Sequence, residues 1–212
     1  MIALLKRLRF LFLFFVILAF CLLKAIEAQT GLLLDLDVIL LVLILTSLVV
    51  ISEHKKLFFI FLLIPGLIEI GFIIINAWVI DFSTHTLRLL FATLFFLVMT
   101  TACIRLTIQD KTIDITTLFG SLSAYLFIGL SFAYLYLFIY SLYPHSISGL
   151  EPHPETRVIY YSFVTLTTLG FGDIVATGPI IQCLTWMEAF SGQAYIVIFI
   201  SQLVGRYIVT NK

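Results

Sequence analysis

The sequence predicts an all-α membrane protein with six spanning helices, and three observations carry that prediction. The first is the solvent the chain demands. Of 212 residues, 62% are hydrophobic and only 11% charged, against about 25% charge in soluble domains. Mean hydropathy is +1.18. Too few polar side chains exist to cover a water-facing surface, so the solvent is lipid. The second is length: six stretches supply the roughly 20 apolar residues that a spanning helix needs. The third is where the apolar character stops. Between the last two stretches lies Thr165-Leu-Thr-Thr-Leu-Gly-Phe-Gly-Asp173. Non-helical backbone at membrane depth is tolerated only where protein buries it or it lines a watery path.

The expected spans are 8–26, 33–52, 57–80, 87–108, 118–142 and 178–207. The first follows Lys6, Arg7 and Arg9 and resembles a secretory leader, with Ala25 to Ala28 as a loose cleavage site; it is expected to stay as an uncleaved span. Basic residues set the orientation. With the N-terminus in the cytoplasm, nine lysines and arginines lie inside and three outside, namely Lys24, Arg88 and Arg157. This places both termini in the cytoplasm of a multi-pass protein of the plasma or inner membrane, and the 143–177 connection outside.

Several classes are disfavoured. Formal net charge is zero and no basic patch with interleaved aromatics occurs, so no nucleic-acid partner is expected. Cys21, Cys103 and Cys183 lie inside apolar spans without metal-ligand spacing and are expected to be buried free thiols. No enzymatic activity and no cofactor are expected.

The run Thr165-Leu166-Thr167-Thr168-Leu169-Gly170-Phe171-Gly172-Asp173 closely resembles the potassium-channel signature T-x-x-T-x-G-[YF]-G-D. Resemblance covers about 90 residues, 118–207, and implies the two-helix pore unit of that family. In that unit 118–142 is the outer helix, and a short re-entrant helix over about 155–167 starts at Pro154 and Glu155. The resemblance implies that the carbonyls of Thr168, Leu169, Gly170 and Phe171, with the Thr168 hydroxyl, form rings of oxygens around K+, with Gly172 and Asp173 at the outer mouth. Bare carbonyls then replace the ion's water shell. Gly170 and Gly172 suit a backbone of alternating handedness, because glycine has no Cβ penalty. One chain supplies one strand of the ring, so a homotetramer in the lipid bilayer is implied, with permeant potassium ions and nothing else bound. Tyr160 and Tyr161 occupy the family's bracing aromatic positions, with Thr167 and Val164 beside them.

Two departures stand out. Phe171 replaces the commoner tyrosine, losing a buttressing hydroxyl. Val164 replaces the glutamate that in some members pairs with the aspartate after the filter, so Asp173 lacks that partner. Both leave open a non-selective cation channel on the same architecture.

Gly192 lies 22 residues after Gly170, the family's gating-hinge position; the alternative is a glycine for close helix packing. Gln193, Ile196 and Ile200 share one helical face, which either lines the cavity or, for the isoleucines, faces lipid. Glu188 is placed by register behind the filter, as a modulatory group or a structural contact.

Residues 1–108 form a four-helix sensor-like domain, 109–117 a cytoplasmic linker and 118–212 the pore domain. Voltage sensing needs charge in the field, about 2.3 kcal/mol per charge per 100 mV. The fourth span offers only Arg88 and Arg105, 17 residues apart, so no steep voltage dependence is expected. Asp35 and Asp37 are expected at the interface, and Glu69 in a structural role. His54, His85, His145 and His153 are expected in solvated loops. Gly-Phe-Gly-Asp also matches the G-x-G-D motif of intramembrane aspartyl proteases, but these need a second facing aspartate. A transporter would need a paired interruption in a second repeat half, which is not found.

Overall fold

The computed structural model describes residues 2–31, 43–44, 64, 66–68, 70–72, 82–109, 115–201 and 205. The expected spans 33–52 and 57–80 lie almost wholly outside these residues, as do Asp35, Asp37, His54 and Glu69. The fold is helical: α1 (Ile2–Thr30), α2 (Phe82–Gln109), α3 (Ile115–Leu142), α4 (Pro154–Leu166) and α5 (Pro179–Tyr195), which runs on into a π-helical turn, Ile196–Ile200. Among the described residues three helices are long and apolar enough to cross a membrane, over Phe10–Thr30, His85–Ile108 and Thr117–Leu142. They correspond to the expected first, fourth and fifth spans, and with the apolar composition they mark an integral membrane protein.

Neither α1 nor α2 contains glycine or proline, so nothing interrupts their hydrogen-bond ladders. Each presents a buried stripe at helical spacing: Phe10, Leu13, Ile17 and Phe20 on α1, and Leu89, Phe96, Met99 and Cys103 on α2. Both stripes pack on α3. Phe14 meets the Phe119 ring at 5.3 Å, and Phe96 meets Tyr134 at 5.0 Å. Several polar side chains inside this apolar layer are satisfied within their own helices. Thr93, Thr100 and Ser131 each donate to the carbonyl four residues back, at 2.7–2.9 Å, the usual solution for a buried hydroxyl on a helix, whereas the buried Thr107 hydroxyl of α2 has no partner among the described residues.

Three findings differ from the sequence expectation. The fold is not purely α. Two-residue strands β1 (Ile147–Ser148) and β2 (Val175–Ala176) pair antiparallel, joining the loop after α3 to the segment after Asp173. His85 lies in the first turns of α2, not in a loop. Cys183 is exposed on α5, whereas Cys103 is buried and Cys21 half-buried.

Candidate functional site

Helix α4 is the platform of the site. It begins at Pro154, whose fixed φ and missing N–H suit a first helical position, and carries Glu155 in its first turn, where an acid complements the helix dipole. It is wedged between α3 and α5. Ser162 donates to the Gly129 carbonyl of α3 at 2.7 Å. Tyr161 and Thr185 of α5 share a hydroxyl–hydroxyl bond of 2.7 Å. Tyr125 of α3 donates to the Leu166 carbonyl at 3.3 Å. At the crossing with α5 contact is closer still: a Cβ on Gly192 would lie 2.3 Å from the Leu166 carbonyl oxygen. Only a residue without a side chain fits there.

The loop below α4 is built from the end of that helix. The amides of Thr167, Thr168 and Leu169 turn back to the carbonyls of Phe163, Thr165 and Val164, at 2.9–3.1 Å. This consumes the donors of the turn. Backbone handedness then alternates: φ is +58° at Thr168, +60° at Gly170 and +78° at Gly172, with Leu169 and Phe171 between them. The glycines tolerate this conformation without penalty. Thr168 does not. A β-branched residue at positive φ is a true outlier, costing on the order of 1–3 kcal/mol and held only by its surroundings. Its hydroxyl donates to the Thr167 carbonyl at 2.7 Å and lies 3.5 Å from the Gln193 amide of α5. Among the described residues no hydrogen bond reaches the carbonyls of residues 168–172. Alternating φ swings successive peptide planes, which is what a column of carbonyls aimed at one line requires.

The outer edge of the loop is fastened by side chains that sequence reasoning only partly anticipated. Tyr160 donates to Asp173 Oδ1 at 3.1 Å, and its ring stacks on Phe171 at 6.5 Å and 3°. So Asp173, which lacks a carboxylic partner at Val164, has a phenol instead. Val164 lines a groove beside Tyr160, Gly172 and Asp173. Arg157 donates from Nε to the Gly149 carbonyl, tying α4 to the loop that β1–β2 pairs with the segment beyond Asp173.

Glu188 is fully buried in α5. It accepts from the Tyr136 hydroxyl of α3 at 2.7 Å and contacts the Ser162 hydroxyl of α4. It therefore joins α3, α4 and α5. Ile196 is partly exposed. The backbone of the π-helical turn Ile196–Ile200 does not keep the α-helical spacing on which the expected shared face with Gln193 rested.

Leu169, Phe171, Trp186, Phe190 and Val197 are all more than half exposed in the single chain.

A 13-residue helix ending in such a loop is thus packed between α3 and α5. In comparison with known proteins, residues 122–209 match the sequence profile of an ion channel family. The chain is also 32% identical over 85 residues to "two pore potassium channel a" of Oryza sativa subsp. japonica. That match covers 39% of this chain and 24% of the rice protein, so it spans about a quarter of that relative's length. No solved structure matches the chain.

Proposed function

We propose that the chain is the subunit of a tetrameric, potassium-selective channel, and that K+ passes down its gradient through rings of carbonyl oxygens from Thr168, Leu169, Gly170 and Phe171. The observation that carries this reading is the alternating backbone over 168–172, including the strained Thr168. Four such strands on one axis would give a dehydrated cation successive oxygen cages. The exposed faces of Phe171, Trp186 and Phe190 supply the surface that neighbouring copies would cover. Potassium is cargo here, not a resident cofactor. The potassium-channel name of the rice relative supports the same ion. Outside to inside, the reading places the loop between α3 and α4 and the Lys24, Arg88 and Arg157 side chains at the external face, and the termini in the cytoplasm.

Gating is proposed not to be steeply voltage-driven. Between Arg88 and Arg105, α2 carries no charge, so the field has nothing to move within that helix.

Reconstitution of the full chain in liposomes tests the reading. With potassium on one side replaced by sodium, the reversal potential should follow potassium at about 59 mV per tenfold gradient for a monovalent ion. A potential indifferent to the exchange would assign a non-selective cation channel, and a stable monomer would overturn the pore altogether. A finer prediction concerns Tyr160. Tyr160→Phe keeps the stack on Phe171 and deletes the bond to Asp173. Losing this bond at the Asp173 edge of the loop should speed current decay, with the reversal potential unchanged.

A further inference from the structure

The three external cations of the sequence do not face water as a group. Lys24, near the outer end of α1, is 3% exposed. Its Nζ lies 2.6 Å from Oε2 of Glu155 in the first turn of α4. Thr156, the next residue, donates to the Lys24 carbonyl at 3.3 Å. Arg88 and His85 of α2 also favour the charged form of that carboxylate. The start of α2 is held to the end of α3 by the Ser141–Thr86 hydroxyl bond of 3.4 Å. The buried lysine of α1 is therefore paired with an acid that sits at the head of the helix whose other end builds the 167–173 loop.

We propose that Glu155 is a latch by which α1 holds the pore helix, making Lys24 and Glu155 positioning residues for the conduction loop. The inference rests on the channel reading above. Helix α4 is rigid and short, 13 residues, about 20 Å at 1.5 Å per residue. A shift at its Glu155 end is passed to Leu166 and on to Thr168. The contacts that hold the far end, Tyr125 to Leu166 and Gly192 against Leu166, act as the pivot. The first helix thus has a physical route to the loop without any moving charge in the membrane field.

Charge accounting sets the sign of the tests. Burial works to raise the Glu155 carboxyl, but Lys24 first, then Arg88 and His85, outweigh it and hold it below the ordinary carboxylate range. Its side chain keeps 44% exposure, so solvent screens part of the attraction. A depressed folded-state value means that the contact is fully present above the ordinary carboxylate range and is lost only as pH falls through the depressed value. External acidification to about pH 5, still above that ordinary range, should leave the latch closed.

Substitution should be asymmetric. Glu155→Gln leaves Lys24 buried without its anion, whereas Lys24→Met keeps an apolar stem and leaves Glu155 half open to water with Arg88 nearby. Single-channel recording should show Glu155→Gln entering the non-conducting state about fivefold faster or more, Lys24→Met less so, Lys24→Arg like the parent, and potassium preference unchanged in all. Thermal unfolding of the detergent-solubilised full chain gives a readout independent of current. In a double-mutant cycle the midpoint loss of Lys24→Met with Glu155→Gln should be clearly smaller than the sum of the single losses. Additive losses, together with parental gating kinetics in both single variants, would overturn the latch. A parent protein that passes no ion would instead count against the channel reading, and the unfolding cycle would still decide the latch.

Discussion

Gly192→Ala should lower the thermal midpoint of the solubilised protein sharply, as well as alter conduction. The added Cβ would sit 2.3 Å from the Leu166 carbonyl oxygen and 2.9 Å from the Leu166 Cδ1. Real Cβ atoms do not approach backbone oxygen that closely, and backbone cannot swing aside as a side-chain tip can. Either α5 or the end of α4 must move. Overpacking of this kind costs about 1–3 kcal/mol and occasionally more, against a helix-propensity gain of about 1 kcal/mol for Gly→Ala. The displaced group is the carbonyl that Tyr125 holds, two residues before Thr168. Loop geometry should suffer with stability. A glycine serving only as a hinge gives a different result: restricted bending, a stiffer and equally or more stable helix, and slowed opening. Ser191→Ala, one residue earlier and half-buried with its hydroxyl on the Met187 carbonyl, adds no atoms, serves as the control and should be close to neutral. A Gly192→Ala protein that melts like the parent would remove the packing role.

The sequence made the scaffold of the site legible wherever one residue type had one mechanical use. Pro154 and Glu155 marked a helix start, and α4 runs from Pro154 to Leu166, within a residue of the expected 155–167. Gly170 and Gly172 marked left-handed positions, and both have positive φ. Apolar runs gave α1, α2 and α3 with ends displaced by a few residues. What stayed hidden depended on partners distant in sequence. Lys24 and Glu155 are separated by 131 positions, and a lysine near a helix end reads as an interfacial anchor until its partner is in view. Tyr160 as the donor to Asp173 needed the return of the chain after the loop. The left-handed Thr168 contradicts its own β-branched preference, so no propensity argument could reach it. The π-helical turn at Ile196–Ile200 lies in an unbroken apolar string with no proline or glycine inside it. The β1–β2 pair involves residues too few to show alternation.

Glu188 carries the other large expected effect, and it separates a polar contact from a packing one. Tyr136 donates to one carboxyl oxygen, and Ser162 touches the other. Ser162 has a single proton and two acceptors, because the Gly129 carbonyl also lies within 2.7 Å. Glu188→Gln offers a solution to that count: the amide oxygen accepts from Tyr136, the amide N–H donates to the Ser162 oxygen, and the Ser162 proton goes to Gly129. Glu188→Gln should therefore fold and melt close to the parent. Glu188→Ala leaves the Tyr136 hydroxyl unpartnered in an apolar interior and opens a cavity among three helices. An unmade buried hydrogen bond costs about 1–3 kcal/mol, and cavity creation adds to it. A combined loss of about 3 kcal/mol or more is expected, read as a lowered thermal midpoint of the solubilised protein. Tyr136→Phe, which removes one partner while filling the same space, should fall between them. The ranking Ala, then Phe at 136, then Gln follows from hydrogen-bond completion. Equal losses in Glu188→Gln and Glu188→Ala would instead mean that the negative charge itself holds α3, α4 and α5 together. Since α4 ends in the loop that would carry ions, the same ranking should hold for current stability in liposomes, with Glu188→Ala losing conduction first.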